Sequence, residues 1–210
     1  MQRRVTADAP MSSRALATRR RVLASARQCV AELGPLGATS NEIARRAGVS
    51  WGVIQYHFGT REGILLAMIE DGLDGLLDAL DSLDGHAVPA LGERLQVVVD
   101  AIWQYCTQPD YLLYTDVLRL LSRDPDSTGA VLVMLQRAEQ QLTRRINRIL
   151  EDIIDSDAAV ASTRGLIFAA MRGLALRTSM TGTPTNAAPV GAAERDLLVR
   201  GLTLALTPPD

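Results

Sequence analysis

The stretch Thr39-Ser40-Asn41-Glu42-Ile43-Ala44-Arg45-Arg46-Ala47-Gly48-Val49-Ser50-Trp51-Gly52-Val53-Ile54-Gln55-Tyr56-His57-Phe58 decides the fold. Thr39 and Glu42 have the spacing of a capping box, in which each side chain satisfies a backbone N–H near the other. They predict a short helix with Ile43, Ala44 and Ala47 inward. Gly48 ends it, because glycine tolerates the left-handed conformation a tight turn requires. Ser50 then caps a second short helix, Trp51 to His57. Two helices that cross this closely need a small residue at the crossing, supplied by Ala44, and apolar anchors under the second helix, supplied by Val49 and Ile54. That is a helix-turn-helix, whose second helix can enter the major groove and present its N-terminal side chains to base edges.

Upstream, Val22, Leu23, Ala26, Cys29, Val30 and Leu33 recur at helical spacing, which predicts a helix from an N-cap at Thr18 to the Gly34-Pro35 stop. Residues 1–17 lack periodicity and are read as a flexible basic arm. Downstream, Thr60 caps a helix from Arg61 to Asp81. Further helices are predicted over 89–107, 109–122, 126–154, 157–180 and 192–206, with a turn at Arg123-Asp124-Pro125 and a loop over 181–191. No strand pattern competes. The fold class is therefore all-α: a helix-turn-helix domain over 18–64, then a helical bundle over 65–210.

Residues 1–61 hold ten arginines against three acids (Asp8, Glu32, Glu42), a balance of +7, while residues 62–210 hold twelve arginines against twenty-one acids, a balance of −9. A basic end on an acidic body suggests a polyanionic partner, although ordinary surface charge gives the same tally. No unbroken run of about 18 apolar residues occurs, and no apolar stretch follows Arg3-Arg4, so neither a membrane span nor a secretory signal is expected. Cys29 and Cys106 have no metal or redox spacing and read as core residues in a reducing, cytoplasmic setting.

The run Thr39 to Ser50, followed by Gly52 and Tyr56-His57-Phe58-Gly59-Thr60-Arg61-Glu62-Gly63-Ile64-Leu65, resembles the DNA-binding signature of the TetR family of transcriptional regulators; the likeness covers about residues 18–66. It implies DNA contacts from Asn41, with Ser40 beside it, near the start of the first short helix. Trp51, Gly52 and Val53 would face bases, and Tyr56 and His57 phosphate or sugar. Thr39, Ser50 and Arg61 would hold phosphate at helix N-termini. Gln55 replaces the family's more usual Tyr, and Trp51 a small or charged residue. Gln55 can pair with adenine or touch backbone. Arg3, Arg4, Arg14 and Arg19 to Arg21 form either a solvated tail or phosphate and minor-groove contacts, with Arg19 to Arg21 favoured.

One recognition helix reads few base pairs, so a homodimer on palindromic operator DNA is expected, with half-sites about 34 Å apart. Gly165, Ala169 and Gly173 recur every four residues, and Leu198, Gly201 and Leu202 follow on the last helix; these form the expected dimer seam, with intrachain packing as the alternative. Trp103, Tyr111, Tyr114, Met134, Phe168, Met171 and Arg172 are the candidate lining of a pocket for a small-molecule effector. Arg172 interrupts an apolar run, and pairing with Asp100 or Asp116 is favoured over an anionic ligand.

An enzyme is not expected. The only histidines are His57 and His86, and there is no nucleophile elbow, phosphate-cradling glycine loop or metal spacing. No cofactor, metal or membrane partner is expected either. The expectation is a ligand-responsive regulator, most simply a repressor that its effector releases from DNA. The alternative is a helical dimeric interaction scaffold with degenerate DNA binding.

Overall fold

The computed structural model describes residues 12–83, 90–150, 154, 156–181 and 191–207. Among them all regular structure is helical: α1 (Ser13–Gly37), α2 (Ser40–Ala47), α3 (Trp51–Phe58), α4 (Arg61–Ser82), α5 (Leu91–Cys106), α6 (Tyr111–Leu121), α7 (Pro125–Leu150), α8 (Asp157–Thr181) and α9 (Ala192–Leu206). The chain divides into two compact units, Met1–Met68 and Ile69–Asp210.

In the first unit, α2 packs against α1 and α3. Val22, Leu23, Ala26, Ile43, Ile54, Ile64 and Leu65 are sealed from solvent and form its core. The predicted start of α1 is corrected. Ser12, not Thr18, is its N-cap, accepting from the Ala15 N–H at 3.2 Å, so Ser13 to Ala17 are helical and do not belong to an arm. Thr18 instead donates its hydroxyl to the Arg14 carbonyl one turn back. Serine in that position satisfies a first-turn N–H that water would otherwise hold. Arg3 and Arg4 lie outside the described residues. Gly34 (φ 72°) breaks α1 as expected, yet the chain resumes helix through Pro35 to Gly37.

In the second unit α5 is central, packed on α9, α8, α7 and α6. Its residues Leu95, Val98, Val99 and Ile102 join Leu76, Leu80, Ile146, Ile167, Met171 and Val199 in one apolar cluster. Full burial of each such side chain contributes about 1.5–3 kcal/mol. A buried arginine on the same helix, Arg94, donates to the Ile149 carbonyl at 3.0 Å. There it meets the negative, C-terminal end of the α7 dipole. Asp124 accepts from Ser127 Oγ at 2.7 Å and from the Asp126 N–H at 3.2 Å, opening α7 with Pro125 at a position that needs no N–H. Cys29 and Cys106 are buried and free, and burial pushes the Cys106 thiol up to about 11.

α8 is not an unbroken apolar run, but over Asp157–Met180 it reaches a mean hydropathy of 1.2 and by length and composition could cross a membrane. Ile167, Met171 and Ala175 anchor one of its faces in the core, and Arg164 ties it to Glu139 on α7.

Candidate nucleic-acid interface

The geometry of the first unit follows from its caps. Thr39 Oγ1 accepts from the Glu42 N–H at 3.3 Å and opens α2. The reciprocal half of the expected capping box is absent. The Glu42 carboxylate is taken by Arg45, through Nε at 2.9 Å and Nη2 at 2.7 Å, and by Arg46 Nε at 2.6 Å. A guanidinium holds a carboxylate more strongly than a backbone amide does. Arg46 also reaches Glu32 on α1 at 2.5 Å, and Gln28 braces Glu32 at 2.8 Å. The hydrogen bonds from Arg45 and Arg46 hold the Glu42 carboxyl at about 2, against its ordinary 4.5.

Gly48 is left-handed (φ 61°), and the Val49 N–H returns to the Ala44 carbonyl at 3.1 Å. That turn sets α3 across α2 with Ile54 sealed beneath it. Ser50 stands at the cap position but makes no side-chain cap bond. Trp51, Gly52, Gln55 and Tyr56 are exposed along α3, Tyr56 at 85%; Val53 and His57 are half-covered. Thr39 and Asn41 are exposed and Ser40 is half-covered at the start of α2. The Tyr56 and His57 rings meet edge-on at 5.0 Å. The residues expected to face DNA on α2 and α3 are thus exposed or half-covered.

Arg61 begins α4, as expected of a helix N-terminus, and its guanidinium is engaged within the protein. Its guanidinium donates to the Ala38 carbonyl at 2.8 Å and to the Pro35 carbonyl, and lies 3.4 Å from Glu62. It braces the end of α1 against the start of α4, because carbonyls left open by the Gly34 break need donors. Beside it, Thr60 Oγ1 accepts from the Gly63 N–H at 3.1 Å. An ideal Cβ at Gly63 would stand 2.1 Å from the Phe58 carbonyl oxygen. The elbow from α3 into α4 is therefore built for glycine at that position.

A helix-turn-helix with this exposed second helix defines a DNA-binding protein. The family described as "Bacterial regulatory proteins, tetR family" matches residues 22–68. The HTH-type transcriptional regulator BetI of Escherichia coli O17:K52:H18 (strain UMN026 / ExPEC) is 32% identical over 174 residues, covering 80% of this chain and 85% of that protein. BetI of strain K12 is 30% identical over 190 residues, covering 88% and 93%. Among solved structures, the regulator FadR from Bacillus subtilis in complex with stearoyl-CoA shares the fold, with a TM-score of 0.67 at 18% identity over 90% of this chain and 99% of that one. The chain belongs to the TetR family and is a helix-turn-helix transcriptional regulator.

The second unit sorts the other expected residues. Tyr111, Tyr114, Met134 and Met171 are buried, and Trp103 and Phe168 are half-buried. Tyr105, which sequence reasoning passed over, meets Tyr111 edge-on at 5.3 Å. The buried Tyr111 hydroxyl has only the weakly accepting Cys106 thiol beside it, and burial pushes its pKa up. Tyr114 packs over Gly72 of α4, where an ideal Cβ would stand 2.2 Å from its ring. Trp103 is covered by the Arg195 guanidinium at 4.8 Å and by Gly191. The favoured pairing of Arg172 with Asp100 or Asp116 is corrected: Arg172 is exposed and lies over the Phe168 ring at 5.6 Å. Asp100 faces Arg195 at 3.4 Å, and Asp116 is held by Arg119 at 2.9 Å.

Of the expected seam residues, Gly165, Ala169, Gly173 and Gly201 are exposed, and the glycines have open space above them. Leu198 is half-buried beside them. Leu202 is only 8% exposed and belongs to the core of its own chain, one position round the α9 helix from the outer face.

Proposed function

We propose that this regulator is a repressor that binds palindromic operator DNA as a homodimer and is released by a small-molecule effector. The observation that carries the dimer is the outer face of α8 and α9. There Ala169, Ala170, Gly173, Leu174, Leu197 and Leu198 line an apolar groove of about 510 Å³, rimmed by Arg177 and Glu194. Leu166 and Leu176 are each 51% exposed and Leu197 is 65% exposed. A contiguous apolar surface of this kind on a single chain marks an association site. Small residues along α8 let a partner helix approach closely, which supports a four-helix interface between two copies.

The effector reading rests on α4 and on the relatives. α4 is one helix, separated from the recognition helix by only two residues. A ligand that binds one arrangement of the helical unit better than another shifts the population toward it. Displacement of α4 would then change the spacing of two recognition helices. Structures with this fold include FadR with stearoyl-CoA and the multidrug binding protein EbrR with imidazole. Tyr111, whose buried hydroxyl has only the Cys106 thiol as a weak partner, is the residue best suited to meet a polar group of an effector.

Light scattering on the purified protein tests the dimer: the expected mass is twice 22.7 kDa. Gly173→Arg should yield a folded monomer. Fluorescence anisotropy against DNA from upstream of the protein's own gene, with scrambled competitor, tests the operator: two subunits per site and a steep salt slope are expected. Weak, salt-insensitive binding no better than scrambled DNA would favour the scaffold reading instead.

A further inference from the structure

The arginines of the first unit do not all remain available to DNA. Arg45 and Arg46 are held by Glu42 and Glu32, and Arg61 by the carbonyls of Pro35 and Ala38. The Arg19 guanidinium stacks over the Phe58 ring at 4.9 Å. Arg27 has an interaction of its own. Among the described residues, Arg14, Arg20 and Arg21 of α1 make no ion pair or side-chain hydrogen bond, so the unpaired positive charge lies on α1 and not within the helix-turn-helix.

Two of these three face the recognition helix across a groove of about 860 Å³. Arg14, Thr18 and Arg21 line one wall; Ser50, Tyr56 and His57 line the other; no acidic residue contributes to it. The α1 trio recurs at four and then three residues, so one helix face presents them all. Arg14 and Arg21 are about 10 Å apart along the axis, at about 1.5 Å per residue. That is roughly three base steps of about 3.4 Å on one DNA strand. Tyr56 and His57 are the residues whose resemblance implied phosphate or sugar contacts, and here they form the wall opposite two unpaired guanidiniums.

We propose that α1 is part of the DNA interface: the groove seats the sugar–phosphate strand beside the major groove that α3 enters, and Arg14 and Arg21 each hold a phosphate from the α1 wall. Arg19 and Arg20 are not part of this contact, because Arg19 is stacked on Phe58 and Arg20 does not line the groove. Contacts of this kind position the protein without reading sequence.

The test is the salt dependence of binding of the full chain to a labelled mixed-sequence duplex, measured by fluorescence anisotropy. With two subunits on each duplex, Arg14→Gln and Arg21→Gln should each lower the slope of log K against log salt by about 1.8, and the double variant by about 3.6. Arg21→Lys should restore the slope, since the contact needs only a positive charge. Arg137→Gln, which removes the same charge from an exposed position on α7, should leave the slope near wild type. All five variants should melt with the wild-type midpoint, because none of these side chains holds the fold. A double variant with the wild-type slope overturns the proposal. So does an Arg137→Gln slope as reduced as that of Arg21→Gln, because the effect would then be net charge alone.

Discussion

Gly63→Ala is the sharpest perturbation the first unit offers. The added methyl carbon would stand 2.1 Å from the Phe58 oxygen and 3.2 Å from its carbonyl carbon, whereas ordinary contact begins near 3.4 Å, so more than 1 Å must be made up. Neither side can yield easily. The Phe58 carbonyl is held by the Thr60 N–H at 2.8 Å, and Gly59, which aims it, sits at φ 72°. The first turn of α4 is pinned by Ile64 and Leu65, both fully buried. Overpacking of this kind costs about 1–3 kcal/mol, toward the upper end where backbone meets backbone. Replacing a helical glycine by alanine returns up to about 1 kcal/mol. The net expectation is destabilisation by about 2 kcal/mol, a midpoint lowered by about 4–8 °C for a chain of this size. Gly75 on the same helix is the control. It is exposed and an added Cβ meets nothing within 4 Å, so Gly75→Ala should raise the midpoint by about 2–4 °C through helix propensity alone. Thermal unfolding followed by far-UV circular dichroism reads both. If Gly63→Ala melts at or above Gly75→Ala, the elbow does not require glycine and the steric reasoning fails.

Two further outcomes follow from the ion pairs of the first unit. Arg61→Met removes the donors to Ala38 and Pro35 and should destabilise the protein by about 1–3 kcal/mol, yet leave the salt slope of DNA binding unchanged; a slope reduced by about one phosphate per subunit would show that the guanidinium itself meets DNA. Arg45 and Arg46 depress the Glu42 carboxyl from 4.5 to about 2, so its contribution is complete above about pH 4.5 and is lost as pH falls toward 2. Glu32, depressed chiefly by Arg46, acts in the same direction. Stability measured across that window should fall less steeply in Glu42→Gln than in wild type, and equal slopes would show that the cluster does not stabilise the fold.

The helix-turn-helix was legible because its signals are local. Thr39, Ala44, Gly48 and Ile54 act on neighbours within a few residues, so spacing alone determined α2, the turn and α3. The same held for the small-residue stripe of α8, whose register along one helix placed Gly165, Ala169 and Gly173 on one outer face without any knowledge of what packs on the other. Even the start of α1 was a local matter, missed because Ser12 and Thr18 compete as caps and the first turns carry too little apolar periodicity to choose between them.

What the sequence could not determine was which charges remain free. A guanidinium reaches far enough from its helix to choose partners the chain brings near only on folding: Arg61 turns to carbonyls 23 and 26 residues away, and Arg46 to a carboxylate 14 residues away. Arg172, expected to pair with an aspartate, lies over Phe168 because both aspartates face other arginines. Sequence by itself determined an all-helical regulator with a DNA-reading helix, since helix periodicity and caps are set within four residues. Only the tertiary structure assigned the arginines, since an ion pair depends on distances between segments that no spacing along the chain encodes.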